Sequence, residues 1–181
     1  AFQQTRPTLG QTYLGDIDAF LVKMNAAGSA LTYSTYLGST ENDYGESIAI
    51  DAGGMAYVAG TTTGRSTAWN GYPAATLPFP TTGGAFQPSF AGGASAFVVK
   101  VDPAASGAAS VVYSTLLGGN DGTDQGHGIA VDGSGSAYVT GSGGPGFPRT
   151  AGAYGGAAAA GGAFVAKLDA AGSALAYSAM I

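Results

Sequence analysis

The chain has 181 residues, of which 45% are hydrophobic and only 9% are charged, and its formal net charge is −5. This acidic balance argues against nucleic-acid binding, which requires a basic surface, and the hydrophobic content argues against disorder. The absence of cysteine excludes disulfides and thiol chemistry, and no apolar run approaches the ~18 residues of a membrane helix. One domain is expected at this length.

Residues 1–17 predict an N-terminal arm or the tail of a preceding connection. The opening Ala1-Phe2-Gln3 repeats Ala85-Phe86-Gln87, which stands just before a pair of predicted strands. An extended arm is the alternative, because several threonines and Tyr13 tolerate strand geometry.

Residues 18–38 predict a β-hairpin. The strand AFLVKMN is followed by the turn AAGSA and by the strand LTYSTYLG. The same pair of strands recurs twice, as AFVVKVD with VVYSTLLG and as AFVAKLD with LAYSAMI. Internal repetition at this scale determines the architecture before any single residue does.

A different hairpin begins at Asp43 with DYGESIAIDAGGMAYVAG and recurs without gaps 81 residues later, from Asp124, as DQGHGIAVDGSGSAYVTG. In both copies a short apolar run leads into an Asp- and Gly-rich turn and returns through Ala-Tyr-Val. Asp and Gly supply the side-chain acceptor and the positive φ that tight turns need. Two strand-forming runs joined in this way predict a β-hairpin.

The order of these hairpins predicts four-stranded units. Residues 43–118 contain both hairpins around a long inserted loop at residues 61–95, and residues 124–181 contain both again, whereas residues 18–38 hold only one. Four antiparallel strands per repeat are typical of a β-propeller blade. The prediction is therefore an all-β fold of antiparallel four-stranded β-propeller-type blades, about two and a half of them, in an incomplete ring.

Three segments carry a resemblance to a known family: AFVAKLDAAGSALAYS, YSTYLG with the following SIAIDAGGMAYVAG, and FPTTGGAFQ. They resemble the bacterial SBBP family of β-propeller repeats, and the similarity recurs in register along nearly the whole chain. The resemblance implies an extracellular or cell-surface bacterial protein whose repeats are embedded in a larger chain. It implies no reaction and no catalytic residues.

Recurring aromatic and basic residues predict structure rather than chemistry. Aromatic side chains at one phase of each repeat predict the core between sheets, and three equivalent lysines predict the outward face of a strand, with a surface for polysaccharide or an acidic partner as the alternative. These residues are Phe20, Phe97, Phe164, Tyr33, Tyr36, Tyr113, Tyr177, Lys23, Lys100 and Lys167.

The acidic loops before the first strand of each blade have two interpretations. Asp43, Asn120, Asp121 and Asp124 could form calcium loops, because hard cations prefer clustered oxygens. Their spacing lacks the regularity of known calcium loops, and the equivalence of Asp43 with Asp124 favours a turn-capping role. The expectation is therefore no cofactor, with calcium as the alternative.

The long inserted loop carries the best candidates for a specific contact. Trp69, Tyr72 and Arg65 have no counterparts in the other copy, and loop residues outside the repeat are where function is usually added. Aromatic and basic side chains there could bind a glycan. Covering the edge of the blade is the alternative.

Function follows from the incomplete blade count. We expect a non-catalytic extracellular structural protein whose partners are copies of itself or further repeats of the same parent chain, built into a surface layer or filament. The alternative is a carbohydrate- or protein-binding adhesion module of a larger bacterial surface propeller. With His127 as the sole histidine and no cysteine, nucleophilic catalysis is poorly supplied, so we do not expect an enzyme.

Overall fold

The structure, a computed structural model, describes residues 17–63, 78–121, 124–154 and 161–181. These residues form ten β-strands and one short 3₁₀ helix, Gly107–Ser110, so the all-β prediction is confirmed. No helix in this part of the chain has the length and hydropathy that a membrane crossing requires. The strands are β1 (Ala19–Met24), β2 (Leu31–Leu37), β3 (Asp43–Ile50), β4 (Ala56–Thr62), β5 (Ser95–Val101), β6 (Val111–Leu117), β7 (Gln125–Val131), β8 (Ala137–Gly143), β9 (Gly162–Leu168) and β10 (Leu175–Met180).

The strands of the described residues form three antiparallel sheets. Strands β1 and β2 form a two-stranded sheet, which we call the half blade. Strands β3 to β6 form the first full blade, and β7 to β10 form the second full blade, each with consecutive strands side by side. Four-stranded antiparallel blades are thus confirmed, and within the described residues the sheets close no ring.

In each full blade, one aspartate holds the turn of the first hairpin, which joins β3 to β4 or β7 to β8. Asp51 accepts hydrogen bonds from the backbone amides of Gly53 and Met55 at 2.9 and 3.0 Å. Gly54 has a φ of 84°, a value that L side chains rarely adopt. The turn of the second full blade repeats this arrangement around Asp132 and Gly135, as the repeated Asp-Gly motif predicts.

A phenylalanine lies across a glycine of the neighbouring strand in each full blade. Phe97 pairs with Gly60 and Phe164 pairs with Gly141. A Cβ atom at Gly60 or Gly141 would stand 2.7 Å from the ring of its partner, so only glycine leaves room there. Each ring also stacks on a phenylalanine of the inter-hairpin connection, with centroids 4.4 Å apart for Phe79 and Phe97.

The core consists of two apolar layers between sheets. We call the face of each sheet that carries Phe20, Phe97 or Phe164 its leading face, and the opposite face, which carries Tyr33, Tyr113 or Tyr177, its trailing face. The trailing face of the half blade packs on the leading face of the first full blade. The trailing face of the first full blade packs in the same way on the second full blade.

The connection between hairpins is tied to the outermost strand of each full blade. The backbone amide of Ser114 donates to Thr82 Oγ1 at 3.0 Å, and Ser114 Oγ donates to the carbonyl of Pro80 at 2.7 Å. Ser178 repeats both bonds in the second full blade, with Thr150 and Pro148 as its acceptors. The echoed FPTT and FPRT segments therefore serve one structural role.

Several sequence predictions meet the described residues only in part. Strand β4 continues to Thr62, so the inserted loop begins after that residue rather than at Thr61. Of the predicted arm at residues 1–17, only Ile17 is described. His127 is exposed as expected, but it lies on β7 rather than in a loop.

Candidate interaction surfaces

The leading face of the half blade is exposed, although its counterparts in the full blades are buried. Phe20 is 58% exposed, whereas the equivalent Phe97 and Phe164 are 0% and 1% exposed. Val22 and Met24, on the same face, are also exposed. The prediction that Phe20 belongs to the core is therefore wrong, because within the described residues no strand pairs with the outer edge of β1.

The trailing face of the second full blade is also exposed. Tyr177 is 39% exposed, whereas the equivalent Tyr113 is 2% exposed beneath the second full blade. The first full blade buries Tyr57, Ala59, Ala96, Val98 and Tyr113 on this face. The equivalent residues of the second full blade are exposed or half-buried: Tyr138, Thr140, Ala163, Val165 and Tyr177.

A groove runs between the edge of β1 that faces away from β2 and the leading face of β3. It has a volume of about 300 Å³, and we call it the β1 groove; it is lined by Phe20, Leu21, Val22, Gly45, Glu46, Ser47, Ile48 and Val58. Ile48 is 53% exposed, and Ile50 is exposed farther along β3. Their equivalents on β7, Ile129 and Val131, are half-buried against the first full blade.

A polar cluster lies beside the exposed trailing face. Lys167 Nζ is 2.9 Å from Asp132 Oδ2 and donates to Tyr138 Oη at 2.8 Å, and it lies 4.6 Å from the centre of the Tyr138 ring. The Ser134 hydroxyl and Lys167 hold the pKa of Asp132 well below its usual range.

In the first full blade, the corresponding cluster contacts the next blade. Tyr57 Oη lies 3.1 Å from Asp51 Oδ2 and 3.3 Å from the carbonyl oxygen of Gly135, which belongs to a turn of the second full blade. Burial raises the pKa of Tyr57 to about 12, and the Asp51 carboxylate adds to this effect. Lys100 lies over the Tyr57 ring, 4.9 Å from its centre. The cluster of the first full blade therefore contacts the β7–β8 turn of the second full blade.

Asp43, which is the first residue of β3 rather than a loop residue, and the equivalent Asp124, just before β7, are both buried and bind backbone amides. Asp43 accepts hydrogen bonds from the amide and the hydroxyl of Ser39 at 2.6 and 2.8 Å. Asp124 accepts from the amides of Gly119 and Gly144 at 2.6 and 3.0 Å. Burial, aided by the charge of nearby Asp18, raises the pKa of Asp43 to about 6, although the neighbouring Thr62 hydroxyl and the hydrogen bonds from Ser39 oppose this rise.

Calcium binding by these loops stays a prediction. Asp121 Oδ2 accepts the amide of Gly146 at 2.9 Å, and Asn120 Oδ1 lies close to the same glycine. Among the described residues, no three His, Asp or Glu side chains come together in a way that could hold a metal ion. A calcium site here would depend on backbone and amide oxygens for most of its ligands.

The remaining candidates divide between described and undescribed segments. Trp69, Tyr72 and Arg65 lie outside the described residues, so their proposed contact stays a prediction. Sequence reasoning missed Ser114 and Ser178, whose burial was signalled only by their place after Tyr in each repeated YS pair. The two exposed faces could not be read from the pattern, because equivalent residues there have different surroundings.

The comparison with protein families agrees with the geometry. A family model described as SBBP, a beta-propeller repeat, matches residues 32–65 and 112–148. Each match begins in the outermost strand of one sheet and covers the first hairpin of the next, β3–β4 or β7–β8. No curated protein matches the chain. Two segments of the chain, residues 32–65 and 112–148, are therefore similar to the SBBP β-propeller repeat.

Proposed function

We propose that the chain is a non-catalytic structural protein whose exposed blade faces join neighbouring copies, or the remaining blades of a longer chain, into a surface layer or filament. The observation that carries this proposal is the exposure of residues at the two ends of the stack. Phe20 and Tyr177 lie exposed, whereas the other two sheets of the described residues bury the equivalent side chain in each case.

The two exposed faces are complementary in kind. Both internal layers pair the trailing face of one sheet with the leading face of the next. The exposed leading face of the half blade and the exposed trailing face of the second full blade would form a third layer of this type between two copies. A head-to-tail contact of this kind gives a ring if the rotation between successive copies closes on itself. If the rotation does not close, the contact repeats and builds a filament.

The chemistry of these faces favours association over solvation. The exposed leading face presents Phe20, Val22 and Met24 beside a strand edge that pairs with no other strand of the described residues. Exposed apolar patches next to free strand edges promote pairing with other chains. Charged side chains do little to prevent such pairing, because only 9% of the residues are charged. An extracellular bacterial setting belongs to the proposal and is supported by the resemblance to SBBP proteins.

Sedimentation velocity over a wide concentration range, with negative-stain microscopy, tests self-assembly. We expect concentration-dependent oligomers or filaments. Val165→Asp places a charge on the exposed trailing face and should abolish them, whereas Val112→Asp, at an exposed position on β6, should not. Dispersed monomers at every concentration would contradict assembly between copies.

The adhesion alternative rests on the inserted loop. Trp69, with Tyr72 and Arg65, would bind a glycan by ring stacking and hydrogen bonding. A glycan array probed with the chain and with Trp69→Ala tests this role, which requires binding that the substitution removes. Equal binding by both proteins would exclude Trp69 from the contact.

A further inference from the structure

We propose that the β1 groove is the docking site for the first hairpin of a further repeat of the same type, with its second strand paired to the outer edge of β1. This inference rests on the proposed function, since it names what completes the half blade. The exposure of Phe20 and Ile48 in the groove and of Lys23 beside it has one common explanation, namely a strand in the place that β4 and β8 occupy in the full blades.

The half blade already sits in the position that such a strand requires. The Cβ of Ala19 on β1 lies 3.2 Å from where a Cβ would stand on Gly45 of β3. In the next pair of blades, the Cβ of Ala96 on β5 lies 3.2 Å from the corresponding point on Gly126 of β7. Since β1 and β3 approach each other as β5 and β7 do, the groove occupies the place that β4 fills beside β5.

Phe20 specifies glycine in the docked strand. In both full blades the equivalent ring lies across a glycine of the second strand, and any side chain at that glycine would collide with it. A strand paired to β1 in the same register places a glycine opposite Phe20. Burial of this exposed ring then contributes to the affinity of the hairpin.

Lys23 specifies tyrosine in the same strand. The equivalent lysines pair across the sheet with tyrosines of the second strand, Lys100 with Tyr57 and Lys167 with Tyr138. Each lysine also lies over the ring of its tyrosine. Lys23 is exposed at the same position. The docked strand therefore carries tyrosine three residues before its glycine, which is the spacing of AYVAG and AYVTG.

Ile48 and Ile50 would contact the trailing face of the docked strand, which is the face that carries its tyrosine. Their equivalents on β7 pack against Tyr57 and Ala59 of β4. The tyrosine of the docked strand, and the small residue before its glycine, would cover Ile48 and Ile50 in the same way. A single strand of the chain's own repeat pattern thus accounts for the exposure on both walls of the groove.

A hairpin peptide of residues 124–143 added to the full chain tests the proposal. In one version Gln125→Cys and Ser142→Cys form a disulfide across a paired position, which keeps the peptide in hairpin form. Calorimetry measures binding, and hydrogen exchange reports protection of the β1 amides. We expect one peptide per chain and at least tenfold slower exchange in β1.

Variants separate the groove from the self-assembly contact. Ile48→Asp should weaken peptide binding at least tenfold, whereas Val165→Asp, on the exposed trailing face, should leave it unchanged while it abolishes self-association. No binding of the closed hairpin at millimolar concentration, or equal binding by Ile48→Asp, would overturn the proposal. Peptide binding to a chain that stays monomeric would instead support the groove and contradict assembly between copies.

Discussion

Phe97 and Phe20 offer a matched pair of truncations, because they occupy the same position of the repeat in different surroundings. Phe97 is completely buried, stacks on Phe79 and lies across Gly60. Truncation of a buried phenylalanine to alanine typically costs about 3–5 kcal/mol, because transfer and cavity terms add. Phe20 is 58% exposed, so its truncation removes less than half of a contact worth at most about 3 kcal/mol. We expect Phe20→Ala to cost about 1 kcal/mol or less.

Urea denaturation followed by circular dichroism measures the difference. With a slope of about 2 kcal/mol per molar urea, Phe97→Ala should lower the midpoint by about 2 M and Phe20→Ala by less than about 0.5 M. The measurement belongs at low protein concentration, where the leading face of the half blade is not covered by another chain. If Phe97→Ala fails to fold, Phe97→Leu should still show a loss of about 1 kcal/mol.

Equal losses from the two truncations would refute the reasoning. They would show that the half blade buries Phe20 as the full blades bury Phe97 and Phe164, and that the exposed leading face does not exist in solution. The proposed docking in the β1 groove would then lose its first argument.

Three further predictions concern single residues. Burial raises the pKa of Asp43 from 3.8 to about 6, so the folded state binds this proton more tightly than the unfolded state. The contribution of Asp43 to the free energy of unfolding should therefore be greatest below about pH 4 and fall by up to about 3 kcal/mol as the pH rises through 6. The urea midpoint of wild type minus that of Asp43→Asn should show this slope, because the subtraction removes the effect of the other carboxyl groups. Gly141→Ala should lower Tm sharply, because its Cβ would overlap the Gln125 carbonyl and stand 2.7 Å from the Phe164 ring, whereas Gly133→Ala, with nothing within 4 Å, should change stability by no more than about 0.5 kcal/mol. Ser114→Ala leaves the Pro80 carbonyl without this donor and should cost about 1–3 kcal/mol in chemical denaturation; an unchanged midpoint would show that the connection is not held at that point.

The repeat pattern predicted the type of each sheet and its strands. Strand runs alternate with Asp- and Gly-rich turns, and equivalent residues recur at fixed spacing, so the hairpins follow from local chemistry alone. The stacking of Phe79 on Phe97 was not predicted, because it joins a connection to a strand nearly twenty residues away. Only the folded chain brings those two rings together.

By itself, the sequence determined that the chain is all-β, that its strands combine in fours and that the hairpin at residues 18–38 forms only half of such a unit, because each of these features is written in the repeated strand and turn motifs. The tertiary structure decided which copies of a repeated residue are buried. Phe20 and Phe97 have nearly the same sequence neighbours, yet one is exposed and the other is enclosed. Burial depends on which sheet lies on the other side, and that is set by the position of the blade in the stack rather than by the residues around it.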